Sequence, residues 1–145
     1  ISRDTGDTWS DWASIAQKET KENPGVKVES PTQVQGMVSL IADPYIGDLL
    51  YGGTKTGLYK SINGGRNWQK MNIIESAEKF PIRALAVNPR NSKEIVFVAG
   101  RTFYKSVNSG ETWSVGMLNV DREVSVLAYD PVYPEVLYLG LRKIK

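Results

Sequence analysis

Ser106-Val107-Asn108-Ser109-Gly110-Glu111-Thr112-Trp113 is one of three versions of a single turn sequence. The other two are Ser2-Arg3-Asp4-Thr5-Gly6-Asp7-Thr8-Trp9 and Ser61-Ile62-Asn63-Gly64-Gly65-Arg66-Asn67-Trp68. All three read Ser-x-Asp/Asn-x-Gly-x-Thr/Asn-Trp. An Asp or Asn side chain accepts hydrogen bonds from backbone N–H groups a few residues on and closes a turn locally. Glycine takes the positive φ that a tight turn often needs. Tryptophan is a large apolar anchor with one N–H to satisfy. A residue present in every copy is part of the repeat, so Asp4, Asn63 and Asn108 read as turn formers rather than metal ligands or catalytic groups.

The repeat extends well beyond the octamer. A first apolar run ends in Asp-Pro or Asn-Pro: Val38–Pro44, Arg83–Pro89 and Ser125–Pro131. A second follows at Leu49–Gly53, Ile95–Ala99 and Val136–Gly140, and a third, with its aromatic, at Gly57–Lys60 and Thr102–Lys105. The tryptophan opens a fourth. Runs of four to seven residues rich in Val, Leu, Ile and aromatics, bounded by Pro, Gly, Asn and Asp, read as strands. Four strands every forty-odd residues is the spacing of a propeller blade. Tyr51, Phe97 and Tyr138 align at one position of the second strand, and Tyr59 and Tyr104 at one position of the third. In-register repetition of this kind reads as packing between blades.

The octamer resembles the Asp-box, or bacterial neuraminidase repeat, and the chain is similar to Asp-box β-propellers. That group includes sialidases, xyloglucan-specific endoglucanases, sortilin-type receptors and photosystem II assembly/stability-factor-like proteins. The resemblance covers nearly the whole chain. It implies an all-β fold of about three blade-equivalents: two whole blades and two half-blades. It also makes Ser2, Asp4, Gly6, Trp9, Ser61, Asn63, Gly65, Trp68, Ser106, Asn108, Gly110 and Trp113 structural. Two copies use Asn for Asp, and Asn67 stands where Thr is usual. In such propellers the Asp-box lies away from the catalytic face, so matching it implies a fold and no particular activity. An extracytoplasmic setting, whether secreted, periplasmic or at the cell surface, is likewise what the resemblance implies.

The expected organisation is one partial propeller domain over 1–145. The end of a blade covers 1–12, an inserted connector 13–35, blades 36–71 and 82–116, and the first half of a blade 124–145. The tail Tyr138–Lys145 followed by Ile1–Trp9 aligns without a gap to Phe97–Trp113. Two arrangements satisfy this: a segment of a longer propeller chain, or a homodimer that closes a six-bladed ring. The first two octamers are 59 positions apart and the next two 45. The extra length is a polar stretch containing Lys18 and Lys21.

Composition narrows function by exclusion. The 145 residues are 41% hydrophobic and 23% charged with a net charge of +2, which suits an ordinary globular protein. The basic residues are dispersed, which does not argue for nucleic acid. No apolar run approaches the ~20 residues that span a bilayer, and no signal peptide is visible. With neither His nor Cys, a His-based triad, a Cys nucleophile, a disulfide framework and a usual zinc site are excluded within this segment. No cofactor or metal is expected. Glycoside hydrolysis needs two carboxyls roughly 5–9.5 Å apart; Asp121 with Glu123, and Glu75 with Glu78, are the best placed. Pro81-Ile82-Arg83 reverses the Arg-Ile-Pro order of sialidases.

Recognition is expected where connectors meet the starts of the first strands. The candidate partner-binding residues are Arg83, Glu123, Gln35, Asp121 and Trp12. Arg83 leads, because its planar fork can pair a carboxylate. The expected function is a non-catalytic module that binds or assembles with another protein. A carbohydrate-active or glycan-binding propeller, its carboxylates partly in further blades, is the alternative.

Overall fold

Among the described residues the apolar runs form ten strands, numbered in chain order. They are β1 (Met37–Ala42), β2 (Leu50–Thr54), β3 (Leu58–Ser61), β4 (Gln69–Lys70), β5 (Ile82–Asn88), β6 (Asn91–Ala99), β7 (Thr102–Ser106), β8 (Ser114–Met117), β9 (Glu123–Tyr129) and β10 (Leu137–Arg142). The computed structural model of the chain describes residues 2, 4–11, 21, 34–74 and 79–143. Every pairing is antiparallel, in sheets ordered β1-β2-β3-β4, β5-β6-β7-β8 and β10-β9. The chain divides into two units, residues 1–33 and 34–145, and all ten strands belong to the second.

Each octamer is held by the same side-chain contacts. The Ser hydroxyl donates to the Asx Oδ1 at 2.8, 3.0 and 2.9 Å in Ser2, Ser61 and Ser106. It also accepts the N–H of Gly6, Gly65 and Gly110 at 2.8, 2.9 and 2.8 Å. The Asx Oδ1 accepts the N–H of Thr8, Asn67 or Thr112 at 3.0, 2.9 and 2.9 Å. These bonds fix two consecutive positive-φ residues. The glycines sit at 103°, 90° and 90°, preceded by Thr5, Gly64 and Ser109 at 60°, 67° and 60°. In the first unit the hydroxyl and N–H of Thr8 hold the Asp4 carboxyl down at about 2.

Two hydrophobic clusters join the sheets of the second unit. The larger holds Tyr51, Leu58, Ile82, Leu85, Ile95, Phe97 and Tyr104 with Trp113 against it; the smaller holds Ala84, Ala86, Val96, Val98, Val124 and Leu127. The middle sheet is therefore covered on both faces, and five successive residues of β5 and of β6 are buried.

The register corrects one alignment made from sequence. Phe97 lies opposite Leu85 and Tyr104, whereas Tyr51 lies opposite Ile41 and Lys60. Gly52, opposite Tyr59, is the true equivalent of Phe97. Tyr51 and Phe97 are both fully buried, but they are offset by one place. Tyr138 lies opposite Ala128 and is 57% exposed. A shift of one residue sends a side chain to the other face of a sheet.

The offset also explains a difference between two tryptophans. Trp68 lies over Gly52, 3.3 Å from where a Cβ would stand, and its indole N–H donates to the Gly65 carbonyl at 3.0 Å. Phe97 fills that space in the next sheet. Trp113 stands edge-on to it at 75°, with its N–H donating across to the Asn72 carbonyl at 3.2 Å.

Candidate functional site

Antiparallel order places the octamers at 61–68 and 106–113 and the Asp/Asn-Pro turns at one end of the sheets. The β2–β3 and β6–β7 turns and the segments that enter β5 and β9 lie at the other. Ion pairs gather at this connector end because β5 and β9 each begin with a charged residue beside an apolar one. Arg83 Nε donates to Glu123 Oε1 at 3.2 Å. Arg142, near the end of β10, donates through Nε to Glu123 Oε2 at 2.8 Å. Glu123 is thus held on both oxygens by guanidinium groups from two sheets. Arg83 and Glu123 are partly buried and Arg142 is about half exposed.

Beside this clamp lies a groove of about 530 Å³ lined by Phe80, Arg101, Thr102, Met117, Asp121 and Arg122, with Gly100 and Glu123. Gly100, at φ 64°, turns the chain from β6 into β7; a Cβ there would stand 3.2 Å from the Phe80 ring. Phe80 is half exposed and Met117 is 79% exposed. Asp121, whose side chain is 88% exposed, meets Arg122 only at 4.0 Å. The groove thus combines two apolar side chains with charges of both signs.

Of the residues singled out from sequence, Arg83 and Glu123 come together, and Asp121 lies on the same groove. Arg83 pairs with the acid of the neighbouring sheet. Gln35 is exposed in the turn that enters β1. Trp12, Lys18, Glu75 and Glu78 lie outside the described residues. Sequence reading missed Arg142, Phe80, Arg101 and Met117. The only available signals were Phe80 next to Pro81 at a strand entrance and Arg101 following a turn glycine.

A second polar cluster joins β6, β7 and β9 toward the octamer end. Glu94 accepts from Lys105 at 2.7 Å and from the Tyr129 hydroxyl at 2.9 Å. Burial pushes the Glu94 carboxyl up, but hydrogen bonds from Lys105, Tyr129 and Asn88 outweigh it and hold the group below its ordinary value. Burial, followed by the bond to Glu94, raises the Tyr129 phenol. Among the described residues, no helix is long and apolar enough to cross a membrane.

Solved structures of similar shape are known. An ancestral GH74 enzyme matches over 74% of this chain and 17% of its own, with 21% identity and a TM-score of 0.58. The GH74 xyloglucanase from Xanthomonas campestris matches over 74% of this chain and 21% of its own, with 14% identity and a TM-score of 0.55. YCF48 bound to a D1 peptide matches over 69% of this chain and 36% of its own, with 12% identity and a TM-score of 0.46. No protein-family model and no curated protein matches the chain. The chain spans about a fifth of the length of the two GH74 structures. Likeness at these identities speaks for architecture alone, and with the four-stranded antiparallel sheets it gives this chain the β-propeller fold, as a partial propeller.

Proposed function

We propose that this chain is a piece of an Asp-box β-propeller that binds a protein partner outside the cytoplasm, without catalysis. The observation that carries the reading is the groove at the connector end. Phe80 and Met117 offer apolar surface to a partner, and Arg101, Arg122 and Asp121 supply a charged rim. An exposed apolar patch rimmed by polar groups is a common form of protein interaction site. Glu123 has both oxygens occupied by arginine, which suits a scaffold better than a group that must pass a proton. The closed hydrogen-bond pattern of each octamer supports its reading as a structural Asp-box. The extracytoplasmic setting rests on the same resemblance.

The test sets a displayed library of random 12-residue peptides against a glycan array and a polysaccharide hydrolysis screen that includes xyloglucan. The expected outcome is selection of peptides whose binding weakens about tenfold in Phe80→Ala, a loss of roughly 1.4 kcal/mol. Glycan binding lost in the same variant, or polysaccharide turnover by the chain, overturns the proposal.

A further inference from the structure

The two complete sheets end on very different outer strands. β4 is two residues long and carries Lys70. Shortness and lysine are devices that keep a sheet edge from pairing with another chain. β8 runs for four residues, Ser-Val-Gly-Met, with no charge and no proline, and all four are exposed. It is the last strand of its sheet.

The ladder shows which main-chain groups of β8 face outward. The Leu118 N–H donates to the Arg101 carbonyl at 2.9 Å, and the register continues as Thr102 with Met117, Phe103 with Gly116 and Tyr104 with Val115. Hydrogen-bonded and non-hydrogen-bonded pairs alternate along an antiparallel ladder. Ser114 and Gly116 therefore bond toward β7, while the N–H and C=O groups of Val115 and Met117 point out of the sheet. A Cβ at Gly116 would meet nothing within 4 Å, so the face of the strand opposite Val115 and Met117 is open at its middle. The side chains of Val115 and Met117 share one face, at 53% and 79% exposure, and Met117 lines the groove with Phe80.

We infer that β8 is a docking edge: an extended segment of a partner polypeptide adds to it as a fifth strand and runs past Met117 into the Phe80 groove. The inference rests on the protein-binding reading above and specifies how the partner is held. Main-chain hydrogen bonds to Val115 and Met117 supply affinity, and alternate side chains supply selectivity. A second copy of β8 is the poorer occupant. Two four-residue edges would join only two outward residues from each side, far short of the ~800 Å² per partner of a stable interface. A longer strand reaches the groove as well.

The experiment uses 12-residue peptides selected on the chain, each remade with N-methyl groups on its even or its odd residues. One methylated set should lose at least about tenfold in affinity while the other binds as the parent does. Val115→Pro removes an outward N–H at an edge position that tolerates proline, and should weaken binding similarly with an unchanged melting temperature. The methylated peptides give the answer even if that variant fails to fold. If Phe80→Ala weakens binding while both methylated sets and Val115→Pro leave it unchanged, the groove reading stands and the docking edge falls. A selection that returns no binder overturns both. A dimer in sedimentation that Val115→Pro converts to monomer makes a second copy the occupant and also overturns the inference.

Discussion

The junction between the first two sheets and the junction between β5–β8 and β9–β10 are built from one repeat but filled differently. The first is packed with Tyr51, Leu58, Ile82, Phe97, Tyr104 and Trp113 and crossed by hydrogen bonds from uncharged donors. The Ser39 hydroxyl donates to the Ile82 carbonyl at 2.6 Å, Ser92 donates to Asp43 at 2.9 Å, and Trp113 reaches Asn72. The second is filled mostly with Ala and Val, with Leu127, and charged groups hold it at both ends: Arg83 reaches Glu123 at the connector end, and the Tyr129 hydroxyl reaches Glu94, which Lys105 pairs within its own sheet, toward the other. The repeat thus specifies that sheets stack, while the residues between the repeat's fixed positions set what a junction responds to. The first junction should answer to volume, the second to pH and salt.

The largest effect is expected at Gly53. A Cβ there would stand 2.2 Å from the Ile82 carbonyl oxygen and 2.3 Å from Ser39 Oγ. The Ile82 oxygen belongs to backbone and cannot swing aside. The residue 45 positions on is Val98, buried at the second junction, so the small residue is a demand of the first junction alone. Gly53→Ala should cost about 3 kcal/mol or more, at the upper end for overpacking, read as a lowered urea midpoint. An unchanged midpoint would mean the two sheets do not approach as closely as described.

Next comes the second junction's response to acid. Glu94 is held below its ordinary value near 4.5, so its stabilising contribution is complete above that pH and is lost as pH falls below it. Amide protection factors, taken against the intrinsic exchange rate at each pH, should fall between pH 6 and pH 3 more in β9 than in β2. Glu94→Gln should abolish the difference and cost about 1.5–3 kcal/mol at pH 7, the range for hydrogen bonds to a charged group. Equal loss of protection in β2 and β9 would show that charge does not distinguish the junctions.

This contrast also explains what could be read from sequence. The octamers mark the turn between third and fourth strands, and the Asp/Asn-Pro pairs mark the turn between first and second, so strand order was legible. The faces were not. A strand buried on both sides reads as a continuous apolar run, such as Ile95–Ala99, without the alternation that would reveal which way Phe97 points. The one-place offset of Tyr51 is the consequence. At the site, Arg83 and Glu123 stood out as charges at strand entrances. Arg142 sits in a basic run that looks like a solvated tail until β10 pairs with β9. The edge character of β8 has no sequence mark, because being an edge depends on what lies beside the strand.

The smallest effect is expected at Arg83, and its smallness is itself informative. Side chains of the Arg83–Glu123 pair are 32% and 25% exposed, so water screens the attraction, and such pairs contribute roughly 0.2–1 kcal/mol. Removing Arg83 does not strand the acid, since Arg142 still donates to its other oxygen. Arg83→Ala should therefore lower stability by no more than about 0.5–1 kcal/mol at 0.1 M salt. In 1 M NaCl, where the screening length is about 3 Å, the difference from the parent chain should shrink further. Glu123→Ala should cost more, because it leaves two guanidinium groups facing each other across the junction. If Arg83→Ala costs as much as Glu123→Ala, Arg142 is not sharing the carboxylate, and the second junction depends on a single ion pair rather than a clamp.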